Sequence, residues 1–370
     1  MGNWKTCTIA DLGMVVGGAT PSTKEAENYD GGTIAWITPK DLAGYSERFI
    51  SHGERDITET GLHSCSAQMM PRHSVLFSSR APIGYVAIAE NELCTNQGFK
   101  SVVPNENTDY MFLYYLLLNN RQRIEHMGSG TTFKEVSGKT MRSIEVRVPE
   151  SKEEQIRISS ILSTIDDKIE ENERINKNLQ AQTQAIYMNT FVTNADSSWP
   201  EGKLSDLIEV CYGKDHKKLN DGDIPVYGSG GIMRHVDQAL YDQESVLVPR
   251  KGTLNNVIYV NEPFWSVDTM FFTKMKRQNV AKFAFHFLKG KDLASMNAGS
   301  AVPSMTTKIL DAIPLQIPDD QTLSSFEAKV SPFYQAVSYN NKESENLAAI
   351  RDALLPKLMS GEIDVSGINL

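Results

Sequence analysis

The sequence predicts an α+β fold in which two duplicated globular domains are joined by two long antiparallel coiled-coil helices, with pseudo-two-fold symmetry. Three observations predict it. Residues 151–192 contain no Pro and no Gly and carry a heptad seam. A second seam follows Pro318 and superposes on the first at one constant shift, placing Phe326 on Ile158 and Leu354 on Ile186. The stretches before the two seams repeat one order of short strands, helix, small-residue loop and closing strand. The expected boundaries are 1–150 and 196–319 for the globular domains, 151–195 for the first helix, and 320–370 for the second helix and C-terminal tail.

The first seam runs Ile158, Leu162, Ile165, Ile169, Asn172, Asn176, Leu179, Thr183, Ile186. Pro149 precedes it, and Ser151 with Glu154 makes a capping-box pattern that marks its start. At about 1.5 Å per residue the helix would reach roughly 60 Å, a spacer rather than a core element. The second seam runs Leu323, Phe326, Val330, Phe333, Val337, Asn340, Ser344, Leu347, Arg351, Leu354, Leu358. Asn172 superposes on Asn340. A polar residue in a seam costs stability but fixes register. Pro332 predicts a kink or a late start in the second helix.

In the first globular part, residues 33–38, 74–78, 84–89 and 144–148 read as strands, and 110–127 as a helix ending near Gly128. In the second, 245–248 and 256–260 match the middle strands, 280–296 matches the helix, and 312–318 matches the closing strand. Each helix is followed by a loop of small residues, 128–138 and 299–308. Arg80 and Arg250 fall at matching places in the repeat.

Composition sets limits. The 370 residues are 40% hydrophobic and 22% charged, enough to bury full cores. No apolar run reaches the length of a membrane span, and the N-terminus lacks a signal-peptide core. Cys7, Cys65, Cys94 and Cys211 stand far apart, as free thiols of a cytoplasmic protein would. The histidines show no metal-ligand spacing. A net charge of −9 argues against generic nucleic-acid binding. The charge is uneven, however: 14 Lys+Arg face 17 Asp+Glu in 1–150 and 14 face 15 in 196–319, so the helices hold most of the excess and a local basic groove remains open to the globular parts.

Catalytic signatures are missing. There is no P-loop, no G-x-G-x-x-G after a strand, and no nucleophile elbow. The Gly-rich run 227–231 reads as a turn or a backbone-contact loop. Asn261-Glu262-Pro263-Phe264 nearly resembles the Asn-Pro-Pro-Phe/Tyr motif of amino-methyltransferases, but its second residue is Glu and no cofactor-binding Gly loop precedes it. The chain reads as one without an active site of its own.

Basic and small polar residues gather on the loops instead. The candidate DNA-binding residues are Lys40, Ser79, Arg80, Asn96, Gln97 and Lys134 in the first part, with Thr131 beside them. In the second they are Lys214, Lys217, Tyr227, Ser229, Arg250, Lys251 and Thr306. Arg and Lys beside hydroxyls and backbone amides suit phosphate contacts. Arg suits guanine, and Asn or Gln suits adenine, which brings in Asn96-Gln97 and Asn255-Asn256.

Together these features resemble the specificity subunit of type I restriction-modification systems over the whole chain. The likeness rests first on RDALLPKLMSGEIDV (351–365), then on SKEEQIRISSILSTIDDKIEENERIN (151–176), the Gly17-Gly18-Ala19-Thr20-Pro21-Ser22 turn, Trp36 to Leu42, and Pro225 to Ile232. Of the aromatic helix end common in that family, only Tyr187 and Phe191 remain. The resemblance implies two target-recognition domains, each reading half of a split DNA site. It implies helices that fix the gap between half-sites and dock two methyltransferase subunits, with restriction subunits joining the larger complex. S-adenosylmethionine, ATP and Mg would then belong to those partners, and this chain would bind no cofactor. A stand-alone DNA adenine methyltransferase and a coiled-coil interaction protein without DNA are the competing readings.

Overall fold

The computed structural model describes residues 3–130, 134–296 and 304–367. The chain divides into two units: unit 1 comprises Met1–Glu173 and Asn341–Leu370, and unit 2 comprises Arg174–Asn340.

Unit 1 begins with β1 (Trp4–Thr8), α1 (Ile9–Leu12), β2 (Gly13–Gly17), β3 (Trp36–Ile37), β4 (Phe49–Ile50) and α2 (Glu59–His63). It continues with β5 (Val75–Ser79), β6 (Ile83–Ala89), β7 (Cys94–Thr95), β8 (Lys100–Pro104), α3 (Tyr110–His126), α4 (Gly138–Ser143) and β9 (Glu145–Pro149). Five strands form one sheet in the order β2-β8-β5-β6-β4; β1 pairs antiparallel with β9, and β3 pairs parallel with β7. Asp109 starts α3 by accepting the N–H of Phe112 at 2.7 Å. The apolar run of α3 is buried against the sheet, with Phe112, Leu113, Tyr115 and Leu117 wholly inside.

The long helix α5 (Lys152–Met188) starts where the sequence marks it, with Ser151 Oγ accepting the N–H of Glu154 at 3.1 Å. Its first half lies in unit 1 beside the last half of α9 (Asp320–Ser360). Ile158 and Leu162 share a core cluster with α3 and with Leu354, Leu355 and Leu358. The two helices run antiparallel there: Lys168 Nζ meets Glu343 at 3.3 Å, and Asp166 meets Arg351 at 2.8 Å. Asn172, fully buried, donates to Glu343 Oε2 at 2.8 Å and to Ser344 Oγ at 3.2 Å. The seam asparagine is therefore paired across the helices, as a register-setting residue requires. Arg48 ties the loop before β4 to the same helix through Glu170 (2.8 Å) and Asp167.

Residues from Leu358 to Val365 complete unit 1. Leu358, Met359 and Val365 enter its core, Arg147 Nη1 donates to Ser360 O at 3.2 Å, and Gly361 lies against the indole of Trp4.

Unit 2 holds the second half of α5, then β10 (Glu201–Lys203), α6 (Leu204–Leu207), β11 (Ile208–Tyr212), β12 (Ile224–Gly228) and β13 (Gly231–Val236). These are followed by β14 (Ser245–Pro249), β15 (Ile258–Val260), β16 (Trp265–Ser266), β17 (Met270–Met275), α7 (Ala281–Lys289), α8 (Thr307–Asp311), β18 (Pro314–Gln316) and the first half of α9. Its main sheet runs β11-β17-β14-β15, β10 pairs with β18, and β12 pairs parallel with β16. This is the plan of unit 1 again: β2-β8-β5-β6 corresponds to β11-β17-β14-β15, β1 with β9 to β10 with β18, and β3 with β7 to β12 with β16. The duplication expected from sequence is present at the level of strand order.

Three expectations need correction. The helix after Val280 ends at Lys289 rather than running to 296, because Gly290 caps it and Asn255 Oδ1 captures the Ala294 N–H at 2.9 Å in the turn beyond. The strand at 33–38 is reduced to Trp36–Ile37 and one bridge between Ile34 and Ile57. The second long helix starts at Asp320 and includes Pro332, which overturns the late start. Pro332 removes the N–H that would have bonded to Ala328, and buried Phe326 and Val330 before it hold the segment in the core.

Aromatic packing fills the helical side of unit 2. Tyr187 and Phe191 meet Phe283 and Phe326, with Phe191 and Phe283 centroids 4.8 Å apart. His286 is buried here. Its Nδ1–H donates to Gln184 Oε1 (2.8 Å), and its Nε2 accepts from the Tyr334 hydroxyl (3.0 Å). Burial, and then the charge of Lys289, lower its pKa to about 4. The unfolded chain then binds a proton near pH 6.5 that the folded unit refuses until about pH 4. Stability from this site is fully present above about pH 6.5 and is lost as pH falls towards 4. We expect thermal melts at pH 4.5 and 7.5 to show unit 2 weakened at the lower pH, and the dependence to shrink in His286→Gln. A variant with the wild-type dependence would exclude this histidine as its source.

Candidate nucleic-acid interface

In unit 1 three loops meet at one end of the main sheet. Ser79 N donates to Gly98 O at 2.7 Å and Val136 N donates to Ser79 O at 3.0 Å, so the β5–β6 turn is held between the β7–β8 loop and the segment before α4. Glu135 stands between two cations, 3.6 Å from Arg80 and 3.3 Å from Lys100. Lys134 next to it is exposed. Gln97 is exposed and bonded to Thr20. A Cβ on Gly98 would come within 2.8 Å of Pro39, which places the Lys40 turn alongside. Lys40 is exposed and paired with Glu54 at 2.6 Å.

Unit 2 repeats the assembly. Arg250 N donates to Thr269 O and Met305 N to Arg250 O, both at 2.8 Å. The Arg250 guanidinium lies 5.4 Å from the centre of the Tyr212 ring and donates to Asp268 O at 3.2 Å. Lys251 is exposed and bridges to Ser304 through its backbone. Asn256 donates to Ser229 O at 2.8 Å, holding the β12–β13 turn against this loop. Lys214 and Lys217 are exposed nearby in sequence, and the Lys214 carbonyl accepts the Trp265 indole N–H at 2.9 Å.

These bonds revise the internal correspondence. By hydrogen-bond partners, Ser79 matches Arg250 and Arg80 matches Lys251, one residue off the Arg80–Arg250 pairing read from sequence. A second correspondence runs through glycine. A Cβ on Gly18 would lie 2.1 Å from the carbonyl oxygens of Thr95 and Asn96, and one on Gly213 would lie 2.1 Å from Val267 O. In both units the next residue donates its N–H to the strand alongside, Ala19 to Thr95 and Lys214 to Ser266. Its carbonyl accepts an indole N–H, from Trp36 on β3 in unit 1 and from Trp265 on β16 in unit 2. The bond is kept although the tryptophan comes from the opposite strand of the parallel pair.

Several candidate residues have other work. Ser79 is fully buried and its hydroxyl donates to Gly98 O, so it does not face a ligand. Tyr227 is 8% exposed and packs in the core with Phe264, because β12 is an inner strand with that face turned inward. Thr306 caps α8, accepting the Ile309 N–H at 3.2 Å. Asn96 Oδ1 accepts the Gly98 N–H at 2.8 Å, and Asn255 Nδ2 contacts Asp292 at 3.3 Å; these amides shape turns. Thr131 lies outside the described residues. Sequence reasoning missed Glu135, the counter-ion that joins Arg80 and Lys100. It also missed Ile232 and Met233, whose place on a strand was hidden when the Gly-rich run before them was read as a turn or backbone-contact loop.

Two globular units that repeat one strand plan and one basic loop cluster have the arrangement of a two-part recognition protein. A family model described as the type I restriction modification DNA specificity domain matches this chain twice over, at residues 1–181 and 196–347. The type I restriction enzyme MjaIX specificity subunit of Methanocaldococcus jannaschii is 31% identical over 408 aligned positions, covering 98% of this chain and 94% of that protein. A putative type I specificity subunit of Mycoplasma genitalium is 24% identical, covering 74% of this chain and 78% of its own. The crystal structure of a type I restriction-modification S subunit from M. genitalium has the same fold, with a TM-score of 0.62 at 19% identity over 96% of both chains. The chain belongs to the type I restriction-modification specificity-subunit family.

Proposed function

We propose that this chain is the DNA sequence-specificity subunit of a type I restriction-modification complex and that its two units read the two halves of a split site. The observation that carries the reading is the repeated loop cluster, which holds Arg80 and Lys134 in unit 1 and Arg250 and Lys251 in unit 2. The chain supplies selection and no chemistry. Two methyltransferase subunits dock on it, restriction subunits join them, and S-adenosylmethionine, ATP and Mg belong to those partners. Two linked readers make the second half-site contact intramolecular, so modest half-site affinities combine into tight binding. The near-neutral globular parts fit this division of labour, since partners can add the basic surface that this chain lacks.

The test is a gel shift with the complex reconstituted from this chain and its methyltransferase subunits. One split sequence should bind at least a thousandfold more tightly than unrelated duplex. Lys251→Ala, at an exposed phosphate-type position, should weaken binding to all duplexes alike and lower the salt slope by about one. Arg80→Ala should relax selection at one position of one half-site, by about 1–3 kcal/mol. Equal binding of all duplexes by the wild-type complex would refute the reading. Binding of S-adenosylmethionine by the isolated chain would favour a methyltransferase instead.

A further inference from the structure

Unit 2 carries an element that unit 1 lacks. Its parallel strand pair is extended by β13, giving the order β13-β12-β16, whereas among the described residues of unit 1 the pair β3-β7 has isolated bridges beside it but no third strand. β12 and β13 form a two-stranded ribbon closed by the turn Gly228-Ser229-Gly230-Gly231, with Gly231 at φ 112°. The register slips within it: Val226 faces Arg234 and Tyr227 faces Ile232, so Met233 has no partner residue. A bulge of this kind breaks the in-out alternation and re-aims side chains. Ile232 and Met233 are adjacent large apolar side chains left 52% and 60% exposed. Solvent alone gives no reason for that exposure at the outer edge of a sheet.

Their surroundings name the occupant. Ser229, in the ribbon's turn, sits against Gly252 and is held by Asn256, so the ribbon is continuous with the Arg250–Lys251 loop. Arg234 projects from the same strand and pairs with Asp221 at 2.8 Å. An exposed apolar pair on a ribbon whose turn packs against the loop of Arg250 and Lys251 matches a duplex groove, which carries phosphates at its rims and apolar groups on its floor. The DNA major groove admits a two-stranded β-ribbon, and the thymine C5-methyl is the apolar group displayed there.

We infer that the β12–β13 ribbon is a base-reading element of unit 2 and that Ile232 and Met233 recognise thymine methyl groups in the major groove. The inference rests on the proposed function and adds residues that the charged loops do not supply. Met233 is flexible and polarisable enough to fit more than one methyl position, while branched Ile232 is stiff. Because no such ribbon is present among the described residues of unit 1, the contact is confined to one half-site.

The experiment compares thymine with deoxyuracil, which differs only by that methyl. The reconstituted complex binds its split site with each thymine replaced in turn, with wild-type chain and with Ile232→Ala/Met233→Ala. One buried methyl is worth about fourfold in affinity. Wild type should lose about fourfold at one or two thymines, all within one half-site, and the double variant should bind thymine and deoxyuracil duplexes equally at those positions. Sensitivity elsewhere should be unchanged. Met233→Gln, which keeps side-chain length, serves as a second variant, and matched melting curves confirm folding. No loss in wild type at any thymine, or equal losses in wild type and both variants, overturns the inference. Failure of the wild-type complex to select any site overturns the proposed function instead, so the two failures are distinct.

Discussion

Replacing Asp166 with alanine should destabilise unit 1 by about 3–5 kcal/mol, the usual result of removing one partner from a buried ion pair. Asp166 is 5% exposed and serves two groups. One oxygen accepts from Arg351 at 2.8 Å and the other from the Tyr115 hydroxyl at 2.5 Å. Tyr115 is wholly buried, and burial together with the Asp166 charge pushes its hydroxyl far above the ordinary range, so it stays a donor. Without the carboxylate that donor has no acceptor, a cost of about 1–3 kcal/mol by itself. Arg351 keeps Asp352 at 2.8 Å, which softens the loss without removing it. Hydrogen exchange of α3 amides is the direct readout. Replacing the group together, Asp166→Leu with Tyr115→Phe and Arg351→Met, should recover most of the stability, because no polar atom is then left unpaired. A loss below about 1 kcal/mol in the single variant would show that water enters this site and satisfies the groups.

Substituting valine for Gly213 should cost about 3 kcal/mol in unit 2, the upper part of the range for overpacking. The obstacle is backbone: the added Cβ would lie 2.1 Å from Val267 O and 2.6 Å from Ser266 O. No rotamer change relieves that contact, and the Lys214 N–H to Ser266 bond beside it would have to open. Gly18→Val should do the same in unit 1, against the carbonyls of Thr95 and Asn96. Each substitution should also erase selection at one half-site and leave the other unaffected. Denaturant melts with the split-site gel shift read both effects, and loss of both half-sites from one substitution would contradict independent readers.

The long helices were legible because their information is local. Heptad spacing, the Ser151 cap and a stretch free of Pro and Gly specify α5 with no reference to distant residues, and Asn172 announces its own burial by breaking an apolar seam. The strand order was legible only as repetition. Two-residue strands such as β3 and β7 carry no period, and their pairing depends on a glycine that lets another chain segment approach. The site was read at the resolution of loops. Arg80 and Lys251 are where cations were expected, but which residue of a turn faces outward depends on hydrogen-bond register. A one-residue offset decided that Ser79 points inward, and Tyr227 went to the core because its strand gained a neighbour in β13. Composition could not reveal that neighbour.

Unit 1 is closed by the segment after α9, with Met359 at the end of that helix and Val365 beyond it in its core and Gly361 against Trp4. This sets an order of events during synthesis. Residues Arg174–Asn340 are complete while Asn341–Leu370 is still being made, a delay of roughly 1.5–6 s at ordinary elongation rates. The middle of the message is therefore the first part to reach a finished fold. The core of the amino-terminal residues must wait for Leu358, Met359 and Val365 to emerge before it is filled.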